Sequence, residues 1–215
     1  MAVVAVLVPL AAQAEGGSYN VDDASVAGAG TCQLESWLRA WSNGTNGVYA
    51  APACGIGPVE LGVTLNTGQH LRGIGANPGI KWQLRNGDDK GVGVALEANG
   101  TYLRGRQDDL QAYVATTFGL DDARRLMVAV NIGADRDHRT RSHPLYGVGL
   151  DLALTRRVTL LVERVWTYRT TTDQGGVRVA FGESSLDLVV GGEREAIERP
   201  RHGSHWINLG WNAAF

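Results

Sequence analysis

The last ten residues of the chain, Trp206 to Phe215, constrain its fold most. Successive side chains of a strand point to opposite faces. Ile207, Leu209, Trp211, Ala213 and Phe215 therefore share one face, and Asn208, Gly210, Asn212 and Ala214 share the other. The sequence stops on an aromatic ring, where soluble proteins usually carry a frayed polar tail.

The same alternation recurs along the chain in segments of about ten residues, the length a tilted membrane strand needs. Twelve strands are predicted, at Thr31–Trp41, Asn46–Gly55, Pro58–Gly68, Pro78–Asn86, Gly91–Tyr102, Asp108–Phe118, Arg125–Ala134, Pro144–Leu154, Val158–Tyr168, Gly176–Gly182, Ser184–Gly192 and His205–Phe215. Their faces separate well. Val59, Leu61, Val63 and Leu65 oppose Glu60, Gly62, Thr64 and Asn66, and Tyr146, Val148, Leu150 and Leu152 oppose Gly147, Gly149, Asp151 and Ala153. A soluble sandwich gives the same pattern, so alternation alone does not choose between water and lipid.

Three further features favour lipid. Connectors after odd strands (Gln69–Asn77, Leu103–Gln107, Asp135–His143, Arg169–Gly175, Glu193–Ser204) tend to be longer than those after even strands (Ile56–Gly57, Gly87–Lys90, Gly119–Arg124, Thr155–Arg157, Glu183). Long loops on one rim and short turns on the other are expected of a single-chain outer-membrane barrel. The three Phe residues, Phe118, Phe181 and Phe215, fall at one end of the strands, and Trp41, Tyr102, Tyr146, Trp166, Tyr168 and Trp206 fall near the other, as two aromatic belts would. The terminal strand itself resembles the closing strand of bacterial outer-membrane β-barrels, which implies that Phe215 is an assembly signal read by the barrel-assembly machinery.

The N-terminus agrees with export. Ala2 to Ala12 is uncharged and apolar, and Ala12-Gln13-Ala14 is a small-x-small cleavage pattern, although no basic residue precedes the run. Residues 1–14 are expected to be a signal peptide, residues 15–30 a periplasmic lead-in and residues 31–215 the barrel. The net charge of −2 argues against nucleic acid as partner. A mean hydropathy of −0.12 looks soluble, but only alternate residues of such a barrel meet lipid. If the first hairpin turns through Ser42–Thr45, Cys32 faces Cys54, and an oxidising compartment would join them.

The expected architecture is all-β, a transmembrane antiparallel up-and-down barrel of twelve strands, with ten as the alternative. Its inward face would carry Glu35, Arg39, Glu60, Lys81, Arg85, Glu97, Asp151, Glu163, Arg178 and Asp187. Charges there must pair or meet water. They form either a salt-bridge filling or the wall of a hydrated pore that sorts solutes by charge. Catalysis is the weaker reading. Ser204 with His205, or Ser142 with His143, could supply nucleophile and base, as in outer-membrane phospholipase A, and Asp135, Asp137 and His138 could serve a protease-type site. No family signature supports either, so no catalytic residues, metal ligands or cofactor are assigned. A metal set of His138, His143, His202 and His205 is geometrically conceivable. The arginines 136, 139, 141, 199 and 201 suit lipopolysaccharide headgroups.

Thr159 to Glu163, Gly176 to Arg178, Leu186 to Gly191 and Trp206 to Phe215 resemble the meta-pathway phenol-degradation transporter family of outer-membrane barrels. The resemblance covers the C-terminal third well and implies a lumen cluster of Glu163, Arg178 and Asp187. Passage of small solutes across the bacterial outer membrane is the expected function. A non-conducting structural or adhesive barrel is the alternative.

Overall fold

The computed structural model describes residues 18–68, 71–87, 91–103, 106–121, 124–137, 142–168, 170–195 and 204–215. Twelve strands fill most of it: β1 Cys32–Trp41, β2 Asn46–Ile56, β3 Val59–Gly68, β4 Leu71–Arg85, β5 Val92–Leu103, β6 Arg106–Gly119, β7 Leu126–Asp137, β8 Ser142–Ala153, β9 Val158–Trp166, β10 Thr170–Phe181, β11 Ser184–Glu195 and β12 Ser204–Ala214. Each strand pairs antiparallel with its chain neighbours, and β12 pairs with β1 from Gln33↔Ala214 to Trp41↔Trp206, so the sheet closes into a barrel with no free edge. No described helix is long and apolar enough to cross a membrane.

The burial pattern is that of a protein turned inside out. Val190, Leu209, Ile132 and Leu188 are more than half exposed on the outer face, whereas Asp187, Asn208 and Asn212 inside are at most 1 % exposed. Water would not tolerate such a surface on a monomer. A hydrocarbon surround explains it, because each strand sends alternate residues to lipid and to lumen. Phe118, Phe181 and Phe215 are exposed at one end of the wall, and Tyr102, Tyr146 and Trp166 near the other.

All twelve predicted strands are present, but two begin six or seven residues earlier than expected. β4 starts at Leu71 and β10 at Thr170. The first residues of β4, as far as Asn77, lie in the predicted connector Gln69–Asn77, yet a Cβ on Gly75 would lie 2.0 Å from the Asn66 amide oxygen, so that glycine serves close strand packing. In β10 the β-branched run Thr170–Thr172 pairs with β11, and Thr171 and Thr172 pair with β9 as well. These extensions overturn the expected split in loop length. The connectors 69–70 and 104–105 are now as short as any on the opposite rim, where 86–91 and 120–125 are longer. On one side of the barrel, strand replaces loop.

The first hairpin has the anticipated register. Cys32 pairs with Cys54 across β1 and β2, their Cα atoms are 4.1 Å apart, and a disulfide joins them. Beside it the Cys32 amide donates to the Phe215 carbonyl, and the Phe215 amide to that of Cys32, each at 2.9 Å, so the disulfide sits at the seam that closes the barrel. With a sequence separation of 22, loop-closure entropy makes the bond worth about 3 kcal/mol. Denaturant unfolding with and without reductant is expected to differ by that amount, and the Cys32→Ser/Cys54→Ser variant should match the reduced protein.

Candidate functional site: the lumen and its N-terminal segment

The barrel is not empty. Residues 18–30 enter at the rim where β1 begins, with Gly30 donating to the Gly55 carbonyl at 2.9 Å, and run across the lumen to the far wall. The wall reads this segment chiefly through its backbone. The amide of Ala27 donates to Glu60 at 2.6 Å, that of Ala24 to Thr117 Oγ1 at 2.9 Å, and that of Asp22 to Asn131 Oδ1 at 2.8 Å. The amides of Asn20 and Val21 donate to the two carboxylate oxygens of Glu163 at 2.6 and 3.0 Å. In return Asn131 Nδ2 donates to the Asp22 carbonyl, Gln83 to that of Ala24 and Gln174 to that of Ser18. Strands β3, β4, β6, β7, β9 and β10 all take part, half of the ring.

Side chains fix the middle of the segment. Lys81 on β4 reaches Asp22 at 3.4 Å and Asp23 at 3.5 Å, and Tyr113 on β6 donates its hydroxyl to Asp22. Lys81 is buried, so its ammonium would be costly without both carboxylates. Ala24 packs into an interior cluster with Ala95, Tyr113, Ala115 and Leu145. Tyr19 lies 5.5 Å from the Arg178 guanidinium.

Inward glycines make room for the segment. A Cβ on Gly55 would lie 2.0 Å from the Ala27 carbonyl oxygen, one on Gly93 2.9 Å from the Ala24 methyl, and one on Gly176 2.9 Å from the Tyr19 hydroxyl. Gly147 and Gly149 stand in the same way beneath Val21. Gly55→Ala is expected to lift residues 27–28 off the wall and to raise protease cleavage of the N-terminal segment several-fold while the barrel stays folded. Gly79→Ala, whose added methyl would meet only ordinary contacts at 3.4 Å, should leave the cleavage rate unchanged.

The charged residues expected on the inner face divide into groups. Glu60, Lys81 and Glu163 hold the segment. Arg178 and Asp187, both buried, form a two-pronged ion pair with contacts of 2.8 and 2.9 Å. Asn212 adds a bond of 2.9 Å to Asp187. Glu35 is buried on β1, Glu97 accepts from Asn99 at 3.3 Å, and Asp151 shares a small cavity with Tyr19, Asp23, Glu163 and Arg178. Arg39 donates to Asn208 at 2.8 Å and lies 4.8 Å from the Trp206 ring, 5.5 Å from Tyr49 and 5.7 Å from Trp41. Trp206 is therefore an inward residue rather than part of an outer belt.

Arg85 departs from the expected list. The ladder to β5 slips between Gln83 and Arg85, so Arg85 stands opposite Val94 instead of one residue further on. The bulge places an extra residue in β4, and Arg85 leaves the inner face for an exposed position. Neutral groups outside the expected list of charges, Gln83, Tyr113, Thr117, Asn131 and Gln174, carry much of the recognition. Of the residues weighed for catalysis or metal, His143 stacks on Tyr168 at 3.7 Å and the His205 amide donates to Ser42 at 3.3 Å. His138 and His202, with arginines 139, 141, 199 and 201, lie outside the described residues, as does the expected signal peptide.

Beside the N-terminal segment a polar cavity of about 170 Å³ remains, lined among others by Asp22, Glu35, Glu60, Lys81, Glu97 and Asn99. One water needs roughly 10–15 Å³, so the space is hydratable.

The closed twelve-strand wall is shared with known proteins. The chain belongs to the family described as "Uncharacterised conserved protein UCP029691", matched over residues 2–215. No curated protein matches its sequence. Among solved structures it is similar to the KdgM porin, with a TM-score of 0.68 and 9% identity over 85% of this chain and 99% of that one. The NanC porin follows with 0.67 and 8% over 84% and 98%. The outer membrane protein Omp33 of Acinetobacter baumannii gives 0.52 and 10% over 86% and 98%. At these identities the shared property is the fold, a porin-type β-barrel. One KdgM structure is a complex with disordered oligogalacturonate.

Proposed function

We propose that this protein is a channel of the bacterial outer membrane that lets small hydrophilic solutes pass passively, with its lumen narrowed by residues 18–30. The observation that carries the reading is the combination of a lipid-type outer surface with a polar, hydratable cavity inside a closed ring. The porin-type fold and the resemblance of the C-terminal third to the meta-pathway phenol-degradation transporter family support it. The rim bearing both ends of the barrel segment faces the periplasm in this reading. While the segment is docked, the remaining space suits small solutes rather than an oligosaccharide.

Liposome swelling tests this. Vesicles containing the purified protein are expected to swell in glycerol and to exclude a trisaccharide. Absence of flux for every solute, with the N-terminal segment present and with it deleted, would overturn the channel and leave a structural barrel.

A further inference from the structure

The outer face carries a charged cluster that passage through the lumen does not use. Arg164 on β9 and Arg194 on β11 both donate to Asp173 on β10, Arg194 at 2.7 Å. All three have the parity of the lipid-facing residues. Asp173 lies in register between Arg164 and Gly192, and His205 stands opposite Gly192 on β12. One step nearer the rim, Trp166 pairs with Tyr146 in the aromatic belt, and the Arg164 guanidinium lies 5.7 Å from the Trp166 ring. Belt aromatics mark headgroup depth; the cluster's backbone lies one step to the hydrocarbon side of the belt, and the Arg164 guanidinium reaches back over the Trp166 ring to the level of the phosphates.

Two guanidinium groups face one carboxylate, which leaves an excess positive charge at the membrane boundary. Arg side chains are 47% and 68% exposed there, and the guanidinium fork matches phosphate oxygens. Towards the bilayer centre the cluster opens onto a groove of about 630 Å³ lined by Val148, Leu150, Val162, Gly175 and Val190. Gly175 stands in register between Val162 and Val190 and offers no side chain, so the floor of the groove is lowered between two exposed valines.

We propose that this surface binds a phosphorylated lipid of the outer leaflet, of the lipid A type. Arg164 and Arg194 hold its phosphate, and an acyl chain lies along the Gly175 groove. The proposal rests on the outer-membrane reading above.

The test uses the full chain folded in uncharged detergent, with lipid A, dephosphorylated lipid A and inorganic phosphate as separate probes and native mass spectrometry as readout. Lipid A is expected to bind the wild type. Arg164→Gln/Arg194→Gln should weaken it by about tenfold or more, the loss expected for charge-assisted contacts, and Gly175→Leu should weaken it with both arginines in place. Arg125→Gln, at the opposite rim, should change nothing. Equal binding by the double arginine variant, equal binding of the dephosphorylated lipid, or binding of inorganic phosphate with no preference for the lipid would each overturn the proposal. Failure of the outer-membrane reading shows separately: the chain would then stay dissolved without detergent, and the lipid site would fall with it.

Discussion

Deleting residues 15–30 is expected to raise the single-channel conductance several-fold in planar bilayers. The shell does not need the segment: twelve ladders close the ring without it. The groups that hold it, Glu60, Lys81, Thr117, Asn131 and Glu163, become exposed to the water that enters in its place, so their hydrogen bonds are exchanged rather than lost. The lumen then gains the full cross-section the segment occupied. The intact chain should show small currents limited by the cavity along β1–β5, and the deleted chain large, steady ones. Lys81→Met should lie between the two, because it releases Asp22 and Asp23 while the backbone contacts to Glu163 and Asn131 persist. Heat-modified gel mobility would establish that each barrel is folded. Equal conductance of intact and deleted chains would show that solutes do not compete with the segment for space.

The wall was legible in the sequence because lipid imposes a period of two on every strand. Rows such as Val59, Leu61, Val63 and Leu65 gave both the strand and its outer face, and the turn at Ser42–Thr45 set the register that puts Cys32 opposite Cys54. Where the reading missed, a local device broke the period or hid it. The bulge before Arg85 moved one charge across the wall. Gly75 falls in the predicted connector because close packing against Asn66 has no signature of its own. The lumen filling was least legible. Its recognition runs through the amides of Asn20, Val21, Asp22, Ala24 and Ala27, and a backbone contact leaves no mark on the residue that makes it. The signal lay instead in the wall, where Gly55, Gly93, Gly147, Gly149 and Gly176 all have inward parity. A barrel that placed so many missing side chains on its polar face had to be making room for something.

Asp187→Ala is expected to destabilise the intact barrel by about 3–5 kcal/mol, the range for removing one partner of a buried ion pair. Arg178 is 4% and Asp187 1% exposed, and the carboxylate accepts both guanidinium bonds and that of Asn212. Without Asp187 a cation stays enclosed between β10 and Tyr19 with its strongest partner gone. The double variant Arg178→Met/Asp187→Leu should recover most of the loss, because an apolar pair of similar volume leaves no uncompensated charge. The N-terminal segment supplies a second check. Tyr19 covers this pair from the lumen, so in the chain lacking residues 15–30 water reaches Arg178 and the Asp187→Ala penalty should shrink. Denaturant unfolding of the four combinations forms a double-mutant cycle, and a coupling near zero would mean that the pair is already hydrated when the segment is docked.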